Sequence, residues 1–221
     1  NEGFATYMEA VYRGKLNGNN DYMRKIREDA SRFIADDSFS RSRHALVRPN
    51  PPTDDSLFDT TTYQKGGAVI HTLHEEIGGE AFWKAINTYL NAHKFANVET
   101  NDLKKAMEEA SGKDLTWFFN QWIYKAGYPK LTVRHSYSPA RKRLTLNISQ
   151  TQKVDSITPA AFTLPMEVEI QTAKGVKTEK ININKRTQII TLPTDGKPIK
   201  LTFDKAEKIP IKIVKVVAAR K

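Results

Sequence analysis

With 221 residues the chain has room for one large domain or two small ones, each able to bury a core. Hydrophobic residues at 39% and charged residues at 27% are ordinary for a globular protein, and no apolar run approaches the roughly 20 residues that cross a bilayer. The absence of cysteine excludes disulfides, thiolate zinc sites and cysteine nucleophiles, and it leaves the compartment open.

The net charge of +10 is unevenly placed. Residues 1–129 hold 16 Lys and Arg against 18 Asp and Glu, whereas residues 130–221 hold 19 against 7. Such asymmetry marks two units of different character. The basic residues of the second half are scattered along alternating segments with few aromatics among them. That pattern reads as a solvated face, so no nucleic-acid partner is expected.

The chain opens inside an amphipathic helix, "NEGFATYMEAVYRGKLNG", with Phe4, Tyr7, Met8, Val11 and Tyr12 at helical spacing and a carboxylate at Glu2. Neither an initiating Met, nor an N-cap ahead of Glu2, nor a targeting segment is present, so the stretch reads as part of something longer and the localisation is left unknown. "DYMRKIREDASRFIADD" sets Met23, Ile26, Ala30, Phe33 and Ile34 on one face. "RSRHALVRPNPPTDDSLFDTT" then lacks any period and is expected to be an irregular excursion long enough to carry function. "YQKGGAVIHTLHEEIGG" is a helix stopped at Gly78, and "EAFWKAINTYLNAHK" follows with Phe82, Ile86 and Leu90 inward. "TNDLKKAMEEASG" takes Thr100 or Asn101 as its cap, and "DLTWFFNQWIYKAGYP" runs from Asp114 to Gly127 with Pro129 beyond.

After Pro129 the period drops to two. Seven short alternating runs, from "KLTVRHSY" to "IKIVKVV", are spaced by Pro, Gly, Asp and Lys, which predicts a small antiparallel sandwich or barrel. The fold class is therefore α+β in two units: residues 1–128 all-α, residues 129–217 an all-β antiparallel sandwich.

Most titratable residues read as ordinary. "HTLHEE" sets His71 and His74 three apart, not four apart around a Glu as in HExxH, so His74 reads as a core-edge residue and not a ligand. His44, His93 and His135 show no carboxylate or partner pattern, and the pairs Asp36–Asp37, Asp54–Asp55 and Glu108–Glu109 fit solvated positions. No Ser/His/Asp ordering, P-loop or dinucleotide fingerprint occurs.

Three segments taken together do stand out. "NEGFATY" resembles the stretch that carries the third zinc ligand in the thermolysin-like (gluzincin) zinc aminopeptidases, the membrane alanyl aminopeptidase and leukotriene hydrolase family. "TYQKGGAVIHTLHEEIG" is similar to that family's Tyr-x-Lys-Gly segment, and "DLTWFFNQWIYKAGYPKLTV" to its passage from the catalytic domain into a small β-sandwich. The three occur in the family's order and together span nearly all of the chain.

The resemblance implies Glu2 as a zinc ligand, Tyr63 as a catalytic tyrosine and Glu9 as a candidate partner for a ligand histidine. A zinc ion with three protein ligands and one open position can lower the pKa of a bound water and polarise a peptide carbonyl. A fixed phenol can donate to the oxyanion that develops. No HExxH occurs in these residues. The two histidine ligands and the general base are therefore expected upstream, on a segment that packs on the helical half near Phe4, Tyr7 and Met8. Zinc is expected in the full-length parent and not in this chain, which by itself should be inactive. The implied function is a metallo-aminopeptidase acting on peptides, with no transmembrane segment. The alternative is a non-catalytic relative that keeps the scaffold for protein–protein contact, although such a relative would be expected to lose Glu2 and Tyr63 first.

Overall fold

Six helices followed by seven strands make up the chain in the computed structural model, which describes residues 1–39 and 43–218. Two units divide between Ala126 and Gly127.

The helical unit starts with α1 (Glu2–Asn17), whose first-turn Glu2 suits the positive end of the helix dipole. Gly18, at φ 86°, lets the chain reverse into α2 (Asn19–Phe39), a turn that costs an L side chain its left-handed strain. Asp21 ties the two helices, accepting from Arg13 Nη2 at 3.0 Å and from Asn17 Nδ2 at 2.7 Å. The excursion that follows contains one short 3₁₀ turn, Asp54–Leu57, and is anchored where the Val47 N–H donates to the Ile123 carbonyl. Its opening residues 41 and 42 lie outside the described residues.

A π-turn over Thr61–Lys65 leads into α3 (Gly66–Ile77), which is the centre of the unit and is buried along most of its length. Gly78 ends α3 as its composition predicts, again at φ 86°. Then come α4 (Gly79–Ala92), α5 (Thr100–Ser111) and α6 (Thr116–Trp122). The core gathers Tyr7, Ile26, Phe33, Leu73, Phe82, Met107, Phe118, Phe119 and Trp122, all at most 3% exposed.

Four expectations for the helical unit need correction. Tyr7 is not on an open apolar face: it is 1% exposed, packed edge-on against Phe82 and His74. Met8 and Tyr12, on the far side of the helix, are the exposed ones. Leu90 points outward at 61% exposure, because Phe82 and Ala85 define the buried stripe of α4. The cap of α5 is Glu99, whose N–H is in turn taken by Asp102 Oδ2 at 2.8 Å. A reciprocal Glu–Asp capping box replaces the expected Thr or Asn. Finally, α6 is only seven residues long; Asp114 accepts the Thr116 N–H ahead of it and does not itself start the helix.

The second unit is two sheets. Strands β1 (Lys130–Ser138), β2 (Arg143–Gln150), β5 (Thr187–Pro193) and β7 (Ile213–Ala218) form one, in the order β5-β2-β1-β7. Strands β3 (Leu164–Thr172), β4 (Gly175–Ile183) and β6 (Lys200–Phe203) form the other, in the order β4-β3-β6. Alternation puts Leu144, Leu146 and Ile148 inward from β2, and Leu164, Met166, Val168 and Ile170 inward from β3. The expectation of a wholly antiparallel sandwich is corrected at one seam: β7 runs parallel to β1, with Val133 opposite Val216. A buried polar knot closes one end, where Gln150 both donates to the Phe162 carbonyl and accepts its N–H.

Candidate active site

Helix α1 and the start of α3 meet through glycine. A β-carbon on Gly3 would lie 2.9 Å from the Gly66 backbone, and one on Gly66 would lie 2.8 Å from the Gly3 Cα. One turn along, Gly67 faces Thr6, whose Cγ2 would be 2.9 Å from an added β-carbon. Glycine inside a helix costs about 1 kcal/mol relative to Ala, and close approach of two backbones is what that cost secures. The contact sets the first residue of α1 beside the turn that precedes α3.

That turn holds Tyr63 by its backbone. The Lys65 N–H reaches the Thr60 carbonyl at 2.9 Å, five residues back, and the Tyr63 N–H reaches the Asp59 carbonyl at 3.0 Å. Single π-turns of this kind are frequent at functional sites. Asp59 supplies the cap: its Oδ1 accepts the N–H groups of Thr61 at 2.9 Å and Thr62 at 3.0 Å. Its other oxygen, Oδ2, lies 2.6 Å from His44 Nε2. At the far end of the turn, Lys65 is wholly buried and donates from Nζ to the Lys125 carbonyl at 2.9 Å.

Tyr63 is half-buried, and Glu2 is its neighbour. Partial desolvation, then the hydrogen bond and negative charge of the Glu2 carboxylate, push the Tyr63 phenol above its ordinary pKa. The phenol is thus held protonated, as a hydrogen-bond donor. The two residues that the resemblance singled out, 61 positions apart in sequence, share one locale. Glu9 does not join them: its carboxylate lies 2.9 Å from Lys25 Nζ and 3.9 Å from Arg13 Nη1.

His71 and His74 each meet a tyrosine within the helical unit. Their Nδ1 atoms are engaged by the hydroxyls of Tyr22, at 2.6 Å, and Tyr7. His74 also stacks on Phe82, and burial lowers its pKa. Among the described residues no three His, Asp or Glu side chains are gathered as a metal site would need.

His44 and Asp59 escaped the sequence reading. His44 was expected to lack a carboxylate; it is 8% exposed and paired to one. Its Nδ1 faces the Ala45 carbonyl at 2.7 Å, so both ring nitrogens look at acceptors, an arrangement that favours the protonated ring. The Asp59 hydrogen bond accordingly raises the His44 pKa, with burial opposing. For Asp59, burial works upward, but the His44 bond and the two turn N–H groups outweigh it and lower its pKa. The sequence did carry a signal for Asp59, an Asp two residues before a helical start, followed by Thr60, Thr61 and Thr62. For His44, 15 residues away across an irregular loop, no local pattern exists.

A family model for the peptidase family M1 domain matches residues 1–122. The chain belongs to peptidase family M1. Among M1 relatives, the alanine/arginine aminopeptidase of Saccharomyces cerevisiae is 33% identical over 137 residues, covering 61% of this chain and 16% of that protein. The glutamyl aminopeptidase of Bitis rhinoceros is 29% identical over 204 residues, 88% of this chain and 21% of that protein. The fold is shared with the crystal structure of Legionella pneumophila aminopeptidase A in complex with aspartic acid. That match has a TM-score of 0.71 at 20% identity and covers 100% of this chain and 24% of the other. The chain thus spans about a quarter or less of the length of the proteins it matches. Among the described residues, no helix is long and apolar enough to cross a membrane.

Proposed function

We propose that this chain is the part of a zinc-dependent M1 aminopeptidase that contributes one metal ligand, Glu2, and one oxyanion donor, Tyr63. The observation that carries the reading is the Gly3–Gly66 backbone contact, which sets Glu2 at the start of α1 beside the π-turn that bears Tyr63. A single carboxylate suits a zinc site whose remaining protein ligands come from elsewhere in the polypeptide, and it does not make a site alone. On this reading the histidine ligands and general base lie outside these 221 residues, on a segment that packs on the helical unit, and the chain by itself is inactive and binds no zinc tightly.

Zinc, when bound, would lower the pKa of a water and polarise the scissile carbonyl of a peptide near its N-terminal residue. The residues of this chain do the rest of what is proposed here. Glu2 is anchored at the start of α1 by the Gly3–Gly66 contact, so its carboxylate is presented at a fixed place. Tyr63, fixed by the π-turn, keeps its proton and donates a hydrogen bond to the oxygen on which negative charge develops. Glu9 is already engaged by Lys25 and Arg13. A role for it toward a ligand histidine is tested by Glu9→Gln.

The experiment is Tyr63→Phe in the full-length protein. Loss of one preorganised donor should lower kcat about a hundredfold or more with KM little changed and zinc content stoichiometric. Glu2→Ala should lose zinc and activity together. An unchanged kcat in Tyr63→Phe on an aminoacyl anilide would remove Tyr63 from the chemistry and favour the non-catalytic scaffold.

A further inference from the structure

We propose that Asp59, held by His44, is the positioning pair that fixes the Tyr63 phenol. The inference rests on the role given above to Tyr63.

Asp59 grips the π-turn at three places. Its carbonyl takes the Tyr63 N–H itself at 3.0 Å, and its Oδ1 takes the N–H groups of both residues before Tyr63. Those N–H groups are orphans at a helix start, and a carboxylate is the strongest acceptor a side chain offers them. Rotation of the Asp59 side chain would release both, and what prevents rotation is its second oxygen, 2.6 Å from His44 Nε2. His44 in turn cannot swing, because its Nδ1 is tied to the Ala45 carbonyl at 2.7 Å. The loop bearing His44 is anchored three residues later, through the Val47 N–H on the Ile123 carbonyl. Hydrogen bonds, joined by the short backbone stretch from Ala45 to Val47, therefore link the body of the helical unit to the backbone of Tyr63. Neither Asp59 nor His44 is needed to touch substrate. They act through the phenol, whose placement to within about an ångström decides whether it can serve an oxyanion.

A double-mutant cycle in the full-length, zinc-loaded protein tests this, using Asp59→Asn, Tyr63→Phe and the two combined, with His44→Gln as an independent disruption. Asp59→Asn keeps an oxygen for the turn N–H groups but loses the charged pair. It should lower kcat about tenfold or more with KM little changed. In the Tyr63→Phe background the same substitution should cost almost nothing further, because the group it positions is already gone. His44→Gln should reproduce the kcat loss, and it serves alone if Asp59→Asn does not fold. Amide hydrogen exchange across residues 59–65 should quicken in both variants while zinc content and exchange across 66–77 stay put. Multiplying losses in the double variant, or an unaltered kcat in both Asp59→Asn and His44→Gln, would overturn the positioning role while leaving Tyr63 catalytic. A normal kcat in Tyr63→Phe would overturn the proposed function and this inference with it, and is a separate outcome.

Discussion

Gly3 and Gly66 touch backbone to backbone: a β-carbon on either would fall within 3 Å of the other's main chain. Both atoms it would strike are backbone, which cannot swing aside as a flexible side chain can. Gly66→Ala must therefore push α1 from α3, at a cost of about 1–3 kcal/mol for overpacking. Because Glu2 precedes Gly3 and Tyr63 lies three residues before Gly66, that displacement separates the two. Thermal melts should register the lost stability, and zinc retention after dialysis of the full-length protein should fall with it.

Glu9, half-exposed, pairs with the mostly buried Lys25 at 2.9 Å, between α1 and α2. Pairs of this kind contribute about 0–1 kcal/mol. Glu9→Gln is expected to change stability by no more than that and to leave kcat and zinc content as they were. A loss of zinc in Glu9→Gln would give the carboxylate the ligand-supporting role that the family resemblance suggested.

The Tyr7 hydroxyl and His74 Nδ1 are partners in the core of the helical unit. Tyr7→Phe keeps the ring against Phe82 but leaves a part-buried imidazole nitrogen without its tyrosine partner, which costs about 1 kcal/mol. His74→Leu together with Tyr7→Phe removes both polar atoms, and the pair should be less destabilised than the sum of the single changes. Urea midpoints of the four proteins check this. Additive losses would mean that the two side chains are not coupled.

How far these features were legible differs from one to the next. Strands such as β2 were readable because one face is buried: Leu144, Leu146 and Ile148 alternate whatever lies beside them. The direction of β7 was not, since parallel and antiparallel strands share a period of two. Helix ends marked by glycine, such as Gly78, were readable, whereas the Glu99–Asp102 box was hidden behind an unfavoured cap residue. Leu90 and Tyr7 were misassigned because helical spacing fixes which residues share a face and not which face meets a neighbour. Glu2 and Tyr63 were named by resemblance, and no rule of spacing joins positions 2 and 63. What joins them is the bare backbone at Gly3 and Gly66, a signal that does sit in the sequence as glycine inside helical pattern. The His44–Asp59 pair depends on the course of an irregular loop, for which the chain carries no period.

Lys65 gives the last prediction, a dependence of stability on pH. Its ammonium is fully buried, donates to the Lys125 carbonyl, lies 5.7 Å from the centre of the Phe33 ring, and has Asp37 and Arg43 as charged neighbours. Burial disfavours its charged form most, with Asp37 opposing and Arg43 adding, so the amine is pulled down to about 8. In the unfolded chain a lysine titrates near 10.4. Between those two values the unfolded state binds the proton and the folded state sheds it, so stability rises with pH across the window, by at most about 1.4 kcal/mol per pH unit. The phenols of Tyr7 and Tyr22 work in the opposite sense. Burial raises both, Tyr22 to about 12, and their contribution is lost only as pH climbs above roughly 10. Chemical denaturation at pH 7.5 and 9.5 keeps clear of the tyrosines. Relative to Lys65→Met, which removes the titrating group and retains an apolar stem, the wild-type protein should gain on the order of 1–2 kcal/mol between those pH values. Parallel stability curves for the two proteins would show that Lys65 keeps the same charge folded as unfolded throughout the window, and that its burial is fully offset by Asp37 and the carbonyl it holds.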